Sequence, residues 1–271
     1  MIEIGTNPIL FRLGPLSLSW HSLFSIVAIV VGVWLFARLA ARVGLSVDRV
    51  YSLALWAIPG GIIGARLVHV IDYWSSYAAN PRAILAIWEG GIAIWGGILG
   101  GTLAALVYAR VSPFSIAVYA DAAAPGLILA QAVGRIGDII NGEHISKATS
   151  LPWGVVYTHP DSPAYGLPPS HPAVAYEFLM DLLIFAMLWA LRHRIRKEGN
   201  LFLTYLISYS AGRFLLSFLR LDSNTVFLSL NQAQWISLMV LAVALPLLLL
   251  RRVQSTGSGR GPKKEVQYEQ I

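Results

Sequence analysis

Apolar residues run along the chain in seven blocks, at about 17–40, 50–72, 91–110, 114–133, 172–192, 201–220 and 233–250. A helix needs roughly 20 mostly apolar residues to cross a bilayer core, and each block is of that order. None shows the alternation over about ten residues that marks a membrane β-strand. The pattern predicts an all-α integral membrane protein of about seven transmembrane helices. One polytopic domain is expected over 1–250, followed by a disordered basic cytoplasmic tail over 251–271. Met1-Ile2-Glu3-Ile4 carries neither a basic stretch nor a small-residue cleavage site, so the first block is expected to be a retained helix, not a signal peptide.

Composition removes other classes. Hydrophobic residues make up 56% of the 271 and charged residues only 13%, against about 25% charged in an ordinary soluble domain. A water-soluble enzyme and a disordered chain are both excluded. With no cysteine there is no disulfide, thiol nucleophile or Cys-metal site. H-E-x-x-H, G-x-x-x-x-G-K-[ST] and G-x-S-x-G are all absent, so we expect no metal, no cofactor and no ATP-driven step.

Charge sets the expected orientation. Thirteen of the twenty basic residues fall on one side of the predicted topology, among them Arg38, Arg42, Arg49, Arg110, Arg192, Arg194, Arg196 and Lys197. By the positive-inside rule that side is cytoplasmic, which puts the N-terminus outside and the C-terminus inside. Arg66, Arg135, Arg213, Arg220, Glu143, Tyr176 and Glu177 then gather from several spans at the outer-leaflet boundary. Arginine there is costly unless paired or snorkelling. Snorkelling accounts for Arg66 or Arg220 as well as a site does, but less well for the deeper Arg213. Tyr209, Arg213, Ser217 and Arg220 share a face at helical spacing. Several guanidinium groups at one depth suit a phosphate, and the outer leaflet offers phosphate mainly as lipid headgroup. A phospholipid-headgroup site opening outward is expected.

Other polar residues stay open. Asp121 either pairs within the membrane or supports a kink at Pro125, and Asp181, one turn beyond Glu177, has the reach of an arginine. The runs around Gly60-Gly61, Gly64, Gly96-Gly97 and Gly100-Gly101 permit close helix packing. The fourth block is expected to leave the membrane at Gly134-Arg135-Ile136-Gly137-Asp138.

That segment, continuing Ile139-Ile140-Asn141-Gly142-Glu143, resembles the signature of bacterial prolipoprotein diacylglyceryl transferases, usually G-R-x-G-N-F-x-N-x-E. Leu13-Gly14-Pro15-Leu16 with Trp20, Gly64-Ala65-Arg66-Leu67, Trp88-Glu89-Gly90-Gly91 through Trp95-Gly96-Gly97, His171-Pro172 with Tyr176-Glu177, Tyr209 with Arg213 and Arg220, and Gln234 resemble further family segments in order. The resemblance covers about 13 to 250 and implies seven helices. It implies transfer of the diacylglyceryl group of phosphatidylglycerol to the lipobox cysteine of a prolipoprotein signal peptide, giving a thioether and glycerol phosphate. It also implies that Arg135 and Arg213 hold phosphate and leaving group, while Asn141, Glu143 and Tyr209 order the site, Glu143 by pairing with an arginine. Arg66, Asp138, Tyr176, Glu177, Arg220 and Trp95 are further candidates for contacting substrate. Membrane lipids are the expected surroundings, nucleic acid is not an expected partner, and a monomer in the bacterial cytoplasmic membrane is expected.

The chain also departs from the family pattern. His21 stands where Tyr is usual, Trp95 where many members have a His, and Asp138 where Asn is usual. Ser146, Val174 and Ser217 replace Gly, Gln and Glu. His21 is either a relocated base for the thiol or a plain substitution, and Asp138 is expected to offset part of the charge of Arg135. These changes motivate an alternative, a relative that binds lipid or lipoprotein without transferring anything. A transporter, with a midplane site and internal repeats, fits poorly.

Overall fold

The computed structural model describes residues 1–14, 16–87, 90–112, 114–221 and 225–257, so Pro15, Trp88, Glu89 and the tail from 258 lie outside the described residues. In chain order the elements are β1 (Ile2–Ile4), β2 (Ile9–Leu13), β3 (Leu16–Ser19), α1 (Trp20–Arg42), α2 (Val47–Asp72), a short α3 (Trp74–Ala79), α4 (Ile94–Val111) and α5 (Ile116–Asn141). Then follow β4 (Val155–Tyr157), α6 (Ala173–Leu191), α7 (Asn200–Leu216), β5 (Thr225–Phe227), β6 (Leu230–Asn231) and α8 (Gln232–Gly257). Seven helices, α1, α2 and α4 to α8, are long and apolar enough to cross a membrane, as the sequence pattern predicts.

Helix starts follow local chemistry. The Ser19 hydroxyl accepts the Ser22 amide at 3.1 Å and opens α1. At α8, Asn231 Oδ1 accepts the Gln234 amide and Gln234 Oε1 accepts the Asn231 amide, each at 2.9 Å. This is a reciprocal capping box, and it explains the Gln234 singled out in the sequence. Asp121 resolves in the same way. Its two carboxylate oxygens accept the amides of Gly199 at 2.6 Å and Phe202 at 2.8 Å, so a side chain of α5 caps the start of α7.

The sequence reading of α5 needs correction. The helix does not end at Gly134; it continues to Asn141 and closes on Gly142 at φ +75°. Its 26 residues span ~39 Å, longer than the ~30 Å hydrocarbon core, so its last turns reach the membrane boundary while still helical. Arg135, Asp138 and Asn141 therefore share one helix face.

The core is organised around α5. One cluster joins Ala124 and Ile128 of α5 to Ile184 and Leu188 of α6 and Leu201 and Tyr205 of α7. A second joins Tyr119 of α5 to Ala37 and Ala40 of α1 and Val50 and Leu53 of α2. The α2–α4 pair packs backbone to backbone. A β-carbon on Gly64 would overlap the Gly96 carbonyl oxygen and lie 2.9 Å from Gly100 Cα, so nothing larger than glycine fits.

Above one end of the bundle lies a polar cap. β1 pairs in parallel with β4, and β2 with β3 as an antiparallel hairpin. The segment between α5 and α6 folds over the end of α5: Tyr157 Oη donates to the Ile139 carbonyl at 2.7 Å and Ser162 Oγ to the Asn141 carbonyl at 2.8 Å. Both carbonyls belong to the last turn, where intrahelical partners run out. Burial first, and the Asp138 charge second, push the Tyr157 phenol up to about 12, so it stays a donor.

Gly64→Val is expected to force α2 and α4 apart, costing about 1–3 kcal/mol. Thermal unfolding in detergent checks this. An unchanged midpoint would contradict the close seam.

Candidate functional site

One buried carboxylate collects the arginines. Glu177, in the first turns of α6, is 1% exposed. Its Oε2 lies 3.0 Å from Arg135 Nη2 of α5. Its Oε1 accepts from Arg213 Nη1 of α7 and, at 3.2 Å, from Arg220 Nη1. Arg220 reaches it from an unexpected direction, because residues 217–219 form a 3-10 turn and Arg220 itself is extended. Neither Arg213 nor Arg220 snorkels; both turn inward to Glu177.

A second carboxylate sits beside the first. Asp138 Oδ2 accepts from Arg135 Nη1 at 3.0 Å, and Asp138 Oδ1 lies 2.5 Å from His21 Nδ1 of α1. His144, on the loop after α5, places Nε2 3.8 Å from Asp138 Oδ2. Three guanidinium groups thus face two partnered carboxylates. Arg135 Nε is buried without a partner, and among the described residues the Arg213 guanidinium is held by Glu177 alone. Their side chains remain 16% exposed. Tyr209 lies within electrostatic reach of both arginines and stacks on Tyr205, with ring centroids 6.2 Å apart.

Other predicted residues stand nearby or apart. Asn141 Nδ2 donates to Glu143 Oε1 at 3.3 Å, while Asn141 Oδ1 is buried and unpartnered. Among the described residues the arginines gather on Glu177, deeper in the bundle, and not on Glu143. Tyr176 accepts from Trp153 Nε1 at 2.7 Å. Asp181 is fully buried, and among the described residues neither of its oxygens is hydrogen-bonded. Trp95 stands in the first turn of α4 and, among the described residues, shares no hydrogen bond or ring contact with the cluster. Ser146, Val174 and Ser217 are buried and bring no charge.

Arg66 is the second correction. It lies at the same end of the bundle but donates to five backbone carbonyls, those of Ala83, Ile84, Ala86, Gly90 and Gly91, at 2.5–3.3 Å. All its donor directions are occupied, and it is 6% exposed. It fastens the loop between α2 and α4 and has no hand free for a phosphate. His144, Trp153, Tyr157 and Ser162 were missed in the sequence. They sit in loops or, for Tyr157, in a three-residue strand too short to show a period; only the place of His144 next to the signature segment hinted at it.

Comparison with known proteins now adds to the geometry. The family described as prolipoprotein diacylglyceryl transferase matches residues 8–250. The chain belongs to this family. A relative from Nostoc sp. named phosphatidylglycerol–prolipoprotein diacylglyceryl transferase is 39% identical, covering 88% of this chain and 87% of its own. Relatives of the same name from Bacillus velezensis and Enterococcus faecalis are each 37% identical, covering 96% and 93% of this chain and 98% and 93% of their own.

Glu177→Gln would leave three guanidinium groups crowded without their shared anion. It is expected to cost about 3–5 kcal/mol of stability. Glu143→Gln, which disturbs one long hydrogen bond, is expected to cost under ~1 kcal/mol. Denaturation of the two variants side by side in detergent checks the ranking.

Proposed function

We propose that the protein transfers the diacylglyceryl group of phosphatidylglycerol to the lipobox cysteine thiol of prolipoproteins, releasing glycerol phosphate. The observation that carries this is the meeting of Arg135 and Arg213 on Glu177 at one end of a membrane bundle. The names of the relatives support the two substrates.

The chemistry fits. Glu177 sets the direction of the Arg135 and Arg213 guanidinium groups, planar and permanently charged, which suit a phosphate. Cleavage of the carbon–oxygen bond leaves charge on a phosphate oxygen, and preorganised arginines stabilise that charge as it grows. Asn141, Tyr209 and Tyr176 would shape the surrounding pocket. No cysteine is needed in this chain, because the reacting thiol arrives with the substrate.

The setting is proposed as the bacterial cytoplasmic membrane with the cluster facing out. Basic residues support it: Arg42, Arg49, Arg110, Arg192, Arg194, Arg196 and Lys197 lie toward the end of the bundle opposite to Glu177.

Arg135→Ala and Arg213→Ala are each expected to lower transfer at least ~100-fold, the scale of losing one transition-state donor, while the protein stays in the membrane. The assay uses purified protein, phosphatidylglycerol and a synthetic lipobox peptide, with a Cys→Ser peptide as control and the added mass as readout. Full activity in both variants would remove the phosphate clamp.

A further inference from the structure

An arginine cluster accounts for the leaving phosphate but leaves the thiol proton without a destination. Arginine is not a base at working pH. Glu177 is enclosed by arginines, and Trp95 has no basic nitrogen. The two unusual residues His21 and Asp138 prove to be partners. His21 is the second residue of α1, its Nδ1 is 2.5 Å from Asp138 Oδ1, and its side chain is 46% exposed against 6% for Asp138.

The hydrogen-bond pattern defines the imidazole. Asp138 Oδ2 accepts from Arg135, so the carboxylate acts as an acceptor on both oxygens, and the proton of the short contact belongs to His21 Nδ1. The lone pair of the neutral ring is then on Nε2, which has no hydrogen bond among the described residues. Gly137 makes the approach possible: a β-carbon there would lie 2.8 Å from His21 Cα and from the Trp20 carbonyl oxygen. The charged groups facing the ring are Asp138 and Arg135 of α5 and Glu143 on the loop beyond, with His144 on the far side of Asp138.

We propose that His21 takes the proton of the acceptor thiol at Nε2, with Asp138 as the positioning residue that joins this base to the phosphate-holding Arg135. The inference rests on the transferase reading. The S–H bond breaks as an N–H bond forms on Nε2. The sulfur electron pair attacks the terminal glycerol carbon of the diacylglyceryl group, a C–S bond forms, and the C–O bond to phosphate breaks with its pair staying on the phosphate oxygen. Glycerol phosphate leaves, and the imidazolium returns its proton to water at the exposed edge of the ring.

A purely structural role, pinning α1 to α5, makes a different forecast, and pH separates the two. A free thiol ionises near pH ~8.5. In the transfer assay the wild type is expected to level off in kcat/KM below that value. His21→Asn, which can still donate to Asp138, should lose about 100-fold or more at pH ~7, on the scale of general-base catalysis, with little change in KM for phosphatidylglycerol. The loss should shrink to about tenfold or less near pH ~9.5, where bulk solvent supplies the thiolate. Asp138→Asn should show the same recovery. A loss in His21→Asn that is equal at every pH, or activity retained at pH ~7, overturns the base. The wild-type profile serves as a check that needs no variant: a rate rising in step with the free thiolate through pH ~8.5 also overturns it. No transfer by the wild type at any pH would overturn the transferase reading itself.

Discussion

A carboxylate buried among three arginines is the constraint from which the rest of this molecule follows. Guanidinium groups cannot be neutralised by losing a proton, so inside a bilayer they must find an anion, a set of backbone carbonyls or water. Glu177 meets that demand for α5, for α7 and for the extended chain beyond α7 at once. Its place near the start of α6 also sets where those three segments converge. Without it the same residues would repel one another, and each helix would turn its arginine outward by its own route.

Much of this was legible from residue order, because membrane helices announce themselves by length and apolarity. All seven spans were visible, and so was the gathering of Arg135, Arg213, Arg220 and Glu177 at one depth. Pairing was harder to see. Glu143 and Glu177 are both acids near that depth, and only the continuation of α5 to Asn141 shows that Glu143 lies past the helix end while Glu177 lies inside the bundle. The helical end of α5 was misjudged because Gly134 and Gly137 look like loop residues. In fact Gly137 is small so that α1 can approach.

Arg66 shows how one residue type at one depth acquires different work. Among the described residues its partners are not carboxylates but backbone carbonyls of the segment between α2 and α4, and Gly90 and Gly91, both at positive φ, turn theirs toward it. A guanidinium presents enough donors to serve such a loop as a single fastener. No periodicity could have foretold that. The same holds for Tyr157 and Ser162, whose value lies in the carbonyls they cover at the end of α5.

Asp121 has a consequence beyond capping a helix. It ties α5 to the beginning of α7, and Glu177 ties the two again near the far end of α7. On α5 the two ties are 14 residues apart, ~21 Å along the axis. Two helices joined at both ends resist sliding and splaying as the sides of a braced frame do. The distance between Arg135 and Arg213 is therefore a property of the frame and not of whatever lies between them. It works as a fixed gauge, with the spacing of the two guanidinium groups set by the ties at either end of the helix pair.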